Sequence, residues 1–173
     1  MRELWDVFDQ NRNLTGRFHE RGRPMKKGDH HLIIQVWILN SEGKFLITKR
    51  VPSKSVWANL WHTTGGCAVA GDGSLKTALK ETREEIGIIL DPQNGQLFKS
   101  YSQPHDSDDG SAFYDVWLFK QKIDLSAIVY QPDEICGAKW AGKQEILRLI
   151  DEGAFFPTSE YTYLDELFAF CKL

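Results

Sequence analysis

The segment Gly65-Gly66-Cys67-Ala68-Val69-Ala70-Gly71-Asp72-Gly73-Ser74 runs directly into Leu75-Lys76-Thr77-Ala78-Leu79-Lys80-Glu81-Thr82-Arg83-Glu84-Glu85-Ile86-Gly87-Ile88. Ser74 suits a helix N-cap, and Gly87 suits a left-handed stop after the last turn. At about 100° per residue, Leu75, Ala78, Leu79, Thr82 and Ile86 share one stripe. The spacing predicts a helix over 75–86 that packs on the core by that face.

Glu81, Glu84 and Glu85 fall on a separate arc of about 100° beside the stripe. Carboxylates at i, i+3 and i+4 repel, each pair disfavouring the isolated helix by roughly a few tenths of a kcal/mol. One explanation is a solvated acidic face relieved by Lys76, Lys80 and Arg83. The other is a site where hard cations neutralise the cluster, and Mg²⁺ suits a few carboxylates completed by water and phosphate oxygens. The glycine-rich approach favours the second, because Gly65-Gly66 lets the backbone pass close to a bound ion or phosphate. A helix N-terminus alone would attract anions, whereas carboxylates along the shaft point to a cation.

The whole segment resembles the box of the Nudix family, G-x5-E-x7-R-E-U-x-E-E-x-G-U, with U a bulky apolar residue. Gly66 takes the leading glycine, Glu81 the glutamate after the arginine, and Glu84-Glu85-Ile86-Gly87-Ile88 the ending. Asp72 stands for the first glutamate, Lys80 for the arginine and Thr82 for the apolar U. Lys80 keeps the charge of arginine but not its planar fork. The resemblance implies an α/β (α+β) fold, a Nudix-type α/β/α sandwich with a mixed sheet and flanking helices. It also implies one domain over 1–173, with residues 1–30 as an N-terminal strand and turn extension and 66–88 as the box. The activity implied is metal-dependent cleavage of a diphosphate linkage in a nucleoside diphosphate derivative or similar small pyrophosphate. Mg²⁺ or Mn²⁺ would be held by Glu81, Glu84, Glu85 and a carbonyl near Gly65, with Glu81, Glu84 or Glu134 as proton acceptor.

Outside the box the resemblance is looser. Phe45-Leu46-Ile47-Thr48-Lys49-Arg50 is similar to a strand whose closing cations reach substrate phosphates, and Arg50 is the residue whose fork fits them. Gln131 to Trp140 resembles a passage in which a glutamate six residues before the tryptophan, here Glu134, serves as metal ligand or base. Residues 5–16, His31 and the loop from Val51 to Trp61 resemble the branch that includes isopentenyl-diphosphate isomerase and its hydrolase-like relatives. The isomerase needs a cysteine just before the leading glycine, where this chain has Gly65. Isomerase chemistry and a non-catalytic nucleotide-binding module are the alternatives. Trp57, Trp61, Trp37, Phe113 and Trp117 are read as core, and His19, His30 and His31 as surface or packing residues.

The remainder suits that reading. The net charge of −3 over 173 residues gives no footprint for nucleic acid, and the resemblance implies a small-molecule diphosphate as partner. Cys67, Cys136 and Cys171 form neither a disulfide framework nor a zinc pattern, and are read as buried thiols in reducing cytosol. Met1 to Asp6 lacks the apolar run of a signal peptide, and no stretch approaches the roughly 20 apolar residues that span a bilayer. A cytoplasmic protein without membrane attachment is expected, and the resemblance allows a homodimer. Further expectations are a turn at Asp9–Asn13 between short strands, with only a faint likeness to a calcium loop, and a hairpin joining 31–39 to 45–48. Strands are expected at 97–102, 112–119 and 138–140, and helices at 143–151 and 161–171. The acidic loop His105 to Gly110 is read as surface.

Overall fold

A computed structural model describes residues 3–103 and 111–173; the acidic loop at 105–110 lies outside the described residues. The fold grows from β3 (His30–Leu39), buried at all but one of its positions. A strand buried on both faces belongs at the centre of a sheet. One edge of β3 pairs in parallel with β8 (Ser111–Lys120), from His30 opposite Ser111 to Leu39 opposite Lys120. Outside β8, β7 (Gly95–Gln103) pairs antiparallel. The other edge of β3 meets three antiparallel partners in turn: β1 (Leu4–Phe8), β6 (Thr64–Cys67) and β4 (Phe45–Arg50). β2 (Leu14–Glu20) pairs with β1, while β4 carries β5 (Trp61–His62) and β9 (Ile135–Ala141).

Alternation along β3 divides the core. Ile34, Val36 and Ile38 join Leu46 and Phe119 beneath α1 (Ser74–Ile86), with Ala78 and Ile86 pointing down from the helix. Trp37 and Leu39 join Phe45, Ile47, Val116 and Leu118 beneath α2 (Lys143–Asp151) and α3 (Leu164–Phe170). Helices on both faces of a mixed sheet make the α/β/α sandwich expected of the sequence. Among the described residues no helix is long and apolar enough to cross a membrane.

Three local expectations change. The hairpin turn after Leu39 forms, but β3 and β4 share only the pair Leu39–Phe45. Beyond it β6 takes the edge of β3, opposite Ile33 to Val36, and β4 turns to β5 and β9. Ser74 is not the N-cap: Gly73 holds that place, and Ser74 Oγ accepts the Trp117 indole N–H at 2.8 Å. A partly buried indole needs an acceptor, and the hydroxyl supplies it. The last helix starts at Leu164 rather than 161, because Tyr161 (φ −135°, ψ 43°) leaves helical geometry. Its ring enters the core beside that of Tyr163.

The β1–β2 turn is a plain turn. Asp9 Oδ1 accepts the backbone N–H of Asn11 and Asn13, each at 2.9 Å, so the carboxylate serves the turn itself. The turn places Arg12 at φ +64°. Its guanidinium grips Asp115 of β8 in a bidentate pair at 2.8 and 2.6 Å. Asp115 is only 1% exposed and also accepts Ser100 Oγ at 2.7 Å. Burial alone would raise its pKa. Hydrogen bonds from Arg12, Ser74 and Ser100, with the charge of Arg12, outweigh burial and hold it below the ordinary carboxylate range.

The two partners are therefore unequal. Arg12→Met strands a buried carboxylate and should cost about 2–4 kcal/mol, while Asp115→Asn leaves a cation that reaches water and should cost less. Because the folded pKa of Asp115 is depressed, its contribution is complete above about pH 4 and lost as pH falls below that. Denaturant titrations of both variants from neutral pH down to acid check the order. An Asp115→Asn loss equal to that of Arg12→Met would contradict it.

Candidate active site

The site begins with two glycines whose close neighbours leave no room for a Cβ. At Gly65 a Cβ would collide with the Ile34 carbonyl oxygen, and at Gly66 it would lie 2.5 Å from Glu81 Oε2. Absence of side chains thus lets β6 press on β3 and lets the Glu81 carboxylate lie over the strand. Downstream, Gly87 at φ +71° stops α1 as the sequence predicts. The result is a helix held against the sheet edge with its acidic arc turned toward a cavity of about 810 Å³.

Glu81, Glu84, Glu85, Glu134, Arg50 and Gly65 all line this one cavity, so every predicted site residue is brought together. Their environments differ. Glu85 is buried, receives the Gly65 amide, and has an Oε2 with no hydrogen-bond partner among the described residues. Burial, then the charge of Glu81, push its pKa well up against the pull of the Gly65 bond. Burial also lifts Glu81 to about 7, with Lys80 opposing and Glu84 adding. Glu84 stands on the rim, its side chain 53% exposed and 3.9 Å from Lys80.

A buried carboxylate oxygen without a partner, beside a second desolvated carboxylate, is unfavourable in the protein alone. A divalent cation relieves both defects, so the donor set fits Mg²⁺ or Mn²⁺. The fit is to an open site rather than a closed cage. Among the described residues no three His, Cys, Asp or Glu side chains already converge on one point. An open site leaves positions for water and phosphate oxygens.

Opposite the helix, Glu134 receives Arg50 Nη1 at 3.4 Å and also Lys54 Nζ. Arg50 Nε donates to the Val56 carbonyl at 3.1 Å. A guanidinium has five N–H donors, and these contacts use two, leaving three for a phosphate. The box departures hold together in the same way. Asp72 receives Lys76 at 2.6 Å, and Lys80 lies 4.0 Å from Asp72 and 3.9 Å from Glu84. A single ammonium between two carboxylates meets both only at long range, as expected where arginine's fork is missing.

Other parts of the cavity carry no sequence signal. His62, Gln35, Tyr114, Phe156, Glu160 and Tyr161 line it from β5, β3, β8 and the segment before α3. Burial pushes His62 down to about 4 and keeps it neutral, with its ring stacked 4.5 Å from Phe156. Trp57 corrects the core assignment: it is 38% exposed at the cavity, its ring 4.6 Å from Phe156. A backbone at φ +53° turns its side chain out of the core. Trp61 does pack on the core, with Lys139 Nζ 4.4 Å over its ring. His30 and His31 are packing residues, stacked on Phe113 and Trp5. Among the described residues no cysteine forms a disulfide, but Cys136 is exposed on β9 and Cys67 and Cys171 are half-buried, so the buried-thiol expectation fails.

Comparison with known proteins agrees with this geometry. Residues 29–159 match the family described as the NUDIX domain. An uncharacterized Nudix hydrolase of Listeria monocytogenes is 35% identical over 167 residues, covering 96% of this chain and 94% of that one. An isopentenyl-diphosphate Delta-isomerase of Escherichia coli is 24% identical over 122 residues, 70% of this chain and 66% of the isomerase. A crystal structure from Deinococcus radiodurans shares the fold with a TM-score of 0.74 at 22% identity, covering 98% and 99% of the two chains.

Cation binding should appear as stability. At about ten times its dissociation constant, Mg²⁺ or Mn²⁺ stabilises the native state by about 1.4 kcal/mol, or about 3–6 °C in Tm. Glu85→Gln should remove that increment while leaving the metal-free Tm unchanged or higher, since a buried amide costs less than a buried charge. Thermal scans with each cation and with EDTA check this. An undiminished shift in Glu85→Gln would take Glu85 out of the cation site.

Proposed function

The chain belongs to the Nudix family, and from that premise we propose that it hydrolyses a diphosphate linkage in a small organic substrate, such as a nucleoside diphosphate derivative. The observation that carries this is the unpartnered Glu85 oxygen, opening with Glu81 onto the cavity where Arg50 keeps free donors. Glu81, Glu84, Glu85 and the Gly65 carbonyl would hold the cation. Bound Mg²⁺ or Mn²⁺ supplies charge neutralisation to the diphosphate and acidifies water at the site.

The protein's own groups do the rest. Arg50, fixed by the Val56 carbonyl and Glu134, presents its remaining N–H groups to a phosphate oxygen and orients the linkage. Glu81, Glu84 and Glu134 are the carboxylates placed to take the proton of the attacking water. Glu134 is shared by two cations, whereas Glu84 at the rim is the freest to move. Asp72 and Lys80 keep the solvent side of α1 charge-paired and so steady the arc.

Likeness to the Escherichia coli isomerase extends the proposal to its hydrolase-like branch. Isomerase chemistry itself is disfavoured, because Gly65 stands where that enzyme needs a cysteine. Cys67, two residues on, does line the cavity and gives the isomerase its one support.

Phosphate release from nucleoside, sugar and prenyl diphosphates, with Mg²⁺, with Mn²⁺ and with EDTA, tests the reading. Metal-dependent release is expected, and Glu84→Gln and Glu85→Gln should each reduce kcat by about 10²-fold or more. Among Glu81→Gln, Glu84→Gln and Glu134→Gln, the base is the one that loses kcat yet keeps the metal-dependent rise in Tm. Wild-type rates in both Glu84→Gln and Glu85→Gln would overturn the assignment. Activity abolished by Cys67→Ser would favour the isomerase instead.

Lys80→Arg offers a check on the helix itself. A fork in place of the ammonium can meet Asp72 and Glu84 together, so kcat/KM should be equal or higher. A large loss would show that Lys80 has another task.

A further inference from the structure

Glu160 lines the same cavity as the acidic arc and Arg50, yet comes from the 3-10 turn Thr158–Glu160 ahead of α3. Its placement is unusually determined for a partly exposed glutamate. The main-chain carbonyl accepts Gln35 Nε2 at 3.0 Å and the Tyr101 hydroxyl at 3.4 Å, and the carboxylate accepts the Tyr114 hydroxyl at 3.2 Å. Gln35 is itself fixed from the core: its Oε1 accepts the Tyr163 hydroxyl, whose oxygen accepts the Trp37 indole N–H at 2.9 Å. Trp37 and Tyr163 are fully buried. A chain of hydrogen bonds from the core therefore ends on the Glu160 main-chain carbonyl, while Tyr114 alone among the described residues is seen to hold the carboxylate.

Resting on the hydrolase reading above, we propose that Glu160 is a specificity-determining residue whose carboxylate receives a hydrogen-bond donor, an amino or hydroxyl group, on the organic end of the substrate. An ionised carboxylate has about four acceptor sites, and one hydroxyl is seen to occupy one of them. Among the described residues no Lys, Arg or His forms an ion pair with Glu160. A diphosphate is therefore repelled from this wall and drawn to the Arg50 end, which sets the direction of the substrate. An alkyl chain lying here would cover the carboxylate without satisfying it, a costly loss of hydration. The same cavity is also lined by aromatic rings: Phe156 stacks on His62 at 12°, and Trp57 tilts against Phe156 at 47°. The Glu160 wall suits a polar group that carries donors.

Steady-state hydrolysis of a nucleoside diphosphate and of isopentenyl diphosphate by wild type, Glu160→Ala and Glu160→Gln is the test. Glu160→Ala should lower the nucleoside-over-alkyl ratio of kcat/KM about tenfold, through KM rather than kcat. Glu160→Gln, whose carbonyl still accepts, should recover most of that ratio. Tyr114→Phe, which loosens the carboxylate but keeps its charge, should give a smaller loss of the same sign and serves if Glu160→Ala misfolds. A ratio unchanged in every variant, or both substrates weakened equally, overturns the proposal.

A second measurement separates this proposal from the hydrolase reading. Unphosphorylated nucleoside is titrated against tryptophan fluorescence in EDTA, where Glu160→Ala should bind about tenfold more weakly. If wild type hydrolyses neither diphosphate but this Glu160-dependent binding persists, the subsite stands and the hydrolase reading falls. Binding that is absent, or indifferent to Glu160, overturns the subsite whatever the hydrolysis shows.

Discussion

The site depends on how closely β6 lies against β3. Gly65 sits against the Ile34 carbonyl, where backbone bars a Cβ, and Gly66 lies beneath Glu81, whose carboxylate would have to move to admit one. Any side chain there would push β6 off the edge of β3 or lift the Glu81 carboxylate from the strand. Since α1 follows β6 after a short turn, its angle over the sheet is set by that contact. The apolar stripe then anchors Ala78 and Ile86 in the core, and the neighbouring arc has only the cavity to face.

That geometry makes the fold carry an electrostatic cost. Glu85 is as buried as many core residues, and Glu81 is desolvated beside it. A protein selected for stability alone would place neutral residues here, since unpaired buried carboxylates weaken the native state. Arg50, which could have neutralised the arc, is instead tied to Glu134 and Val56 across the cavity. Separated charges of this kind are what a dianionic linkage with its cations would complete. The ion pair Arg12–Asp115 shows the contrast, since there a buried carboxylate is matched within the protein by a bidentate guanidinium and a hydroxyl.

Legibility in the sequence followed the range of the interactions. The layered fold, α1 with its left-handed stop, and the acidic arc were readable because helical period and glycine spacing are local properties. Arg50 and Glu134 were readable through resemblance, though their contact across 84 positions was not. The split of β3 from β4 was hidden because nothing near Leu39 says that β6 will compete for the same edge. Ser74 was misread for a similar reason: its hydroxyl is claimed by Trp117, which is remote in sequence. Trp57 looked like core because composition cannot reveal a positive φ that turns the side chain outward.

The division of labour inside the cavity follows from the same difference in range. Diphosphate chemistry needs carboxylates at fixed mutual spacing, and one helix supplies three of them from five consecutive positions. Recognition of an organic group has no such constraint, so it can draw on any segment that reaches the cavity. Here those segments are the loop bearing Trp57, the β3 position Gln35, the β8 position Tyr114 and the turn at Glu160. Glu3, Trp5 and Arg21 of the N-terminal hairpin add a further wall from outside the matched 29–159 region. Arg21 is held by Glu3 at 3.1 Å, and its charge reaches Glu81. Arg12 clamps that hairpin to β8 through Asp115, one residue after Tyr114, which holds Glu160. The contact that fixes the hairpin and the contact that holds the Glu160 carboxylate thus come from neighbouring positions of β8.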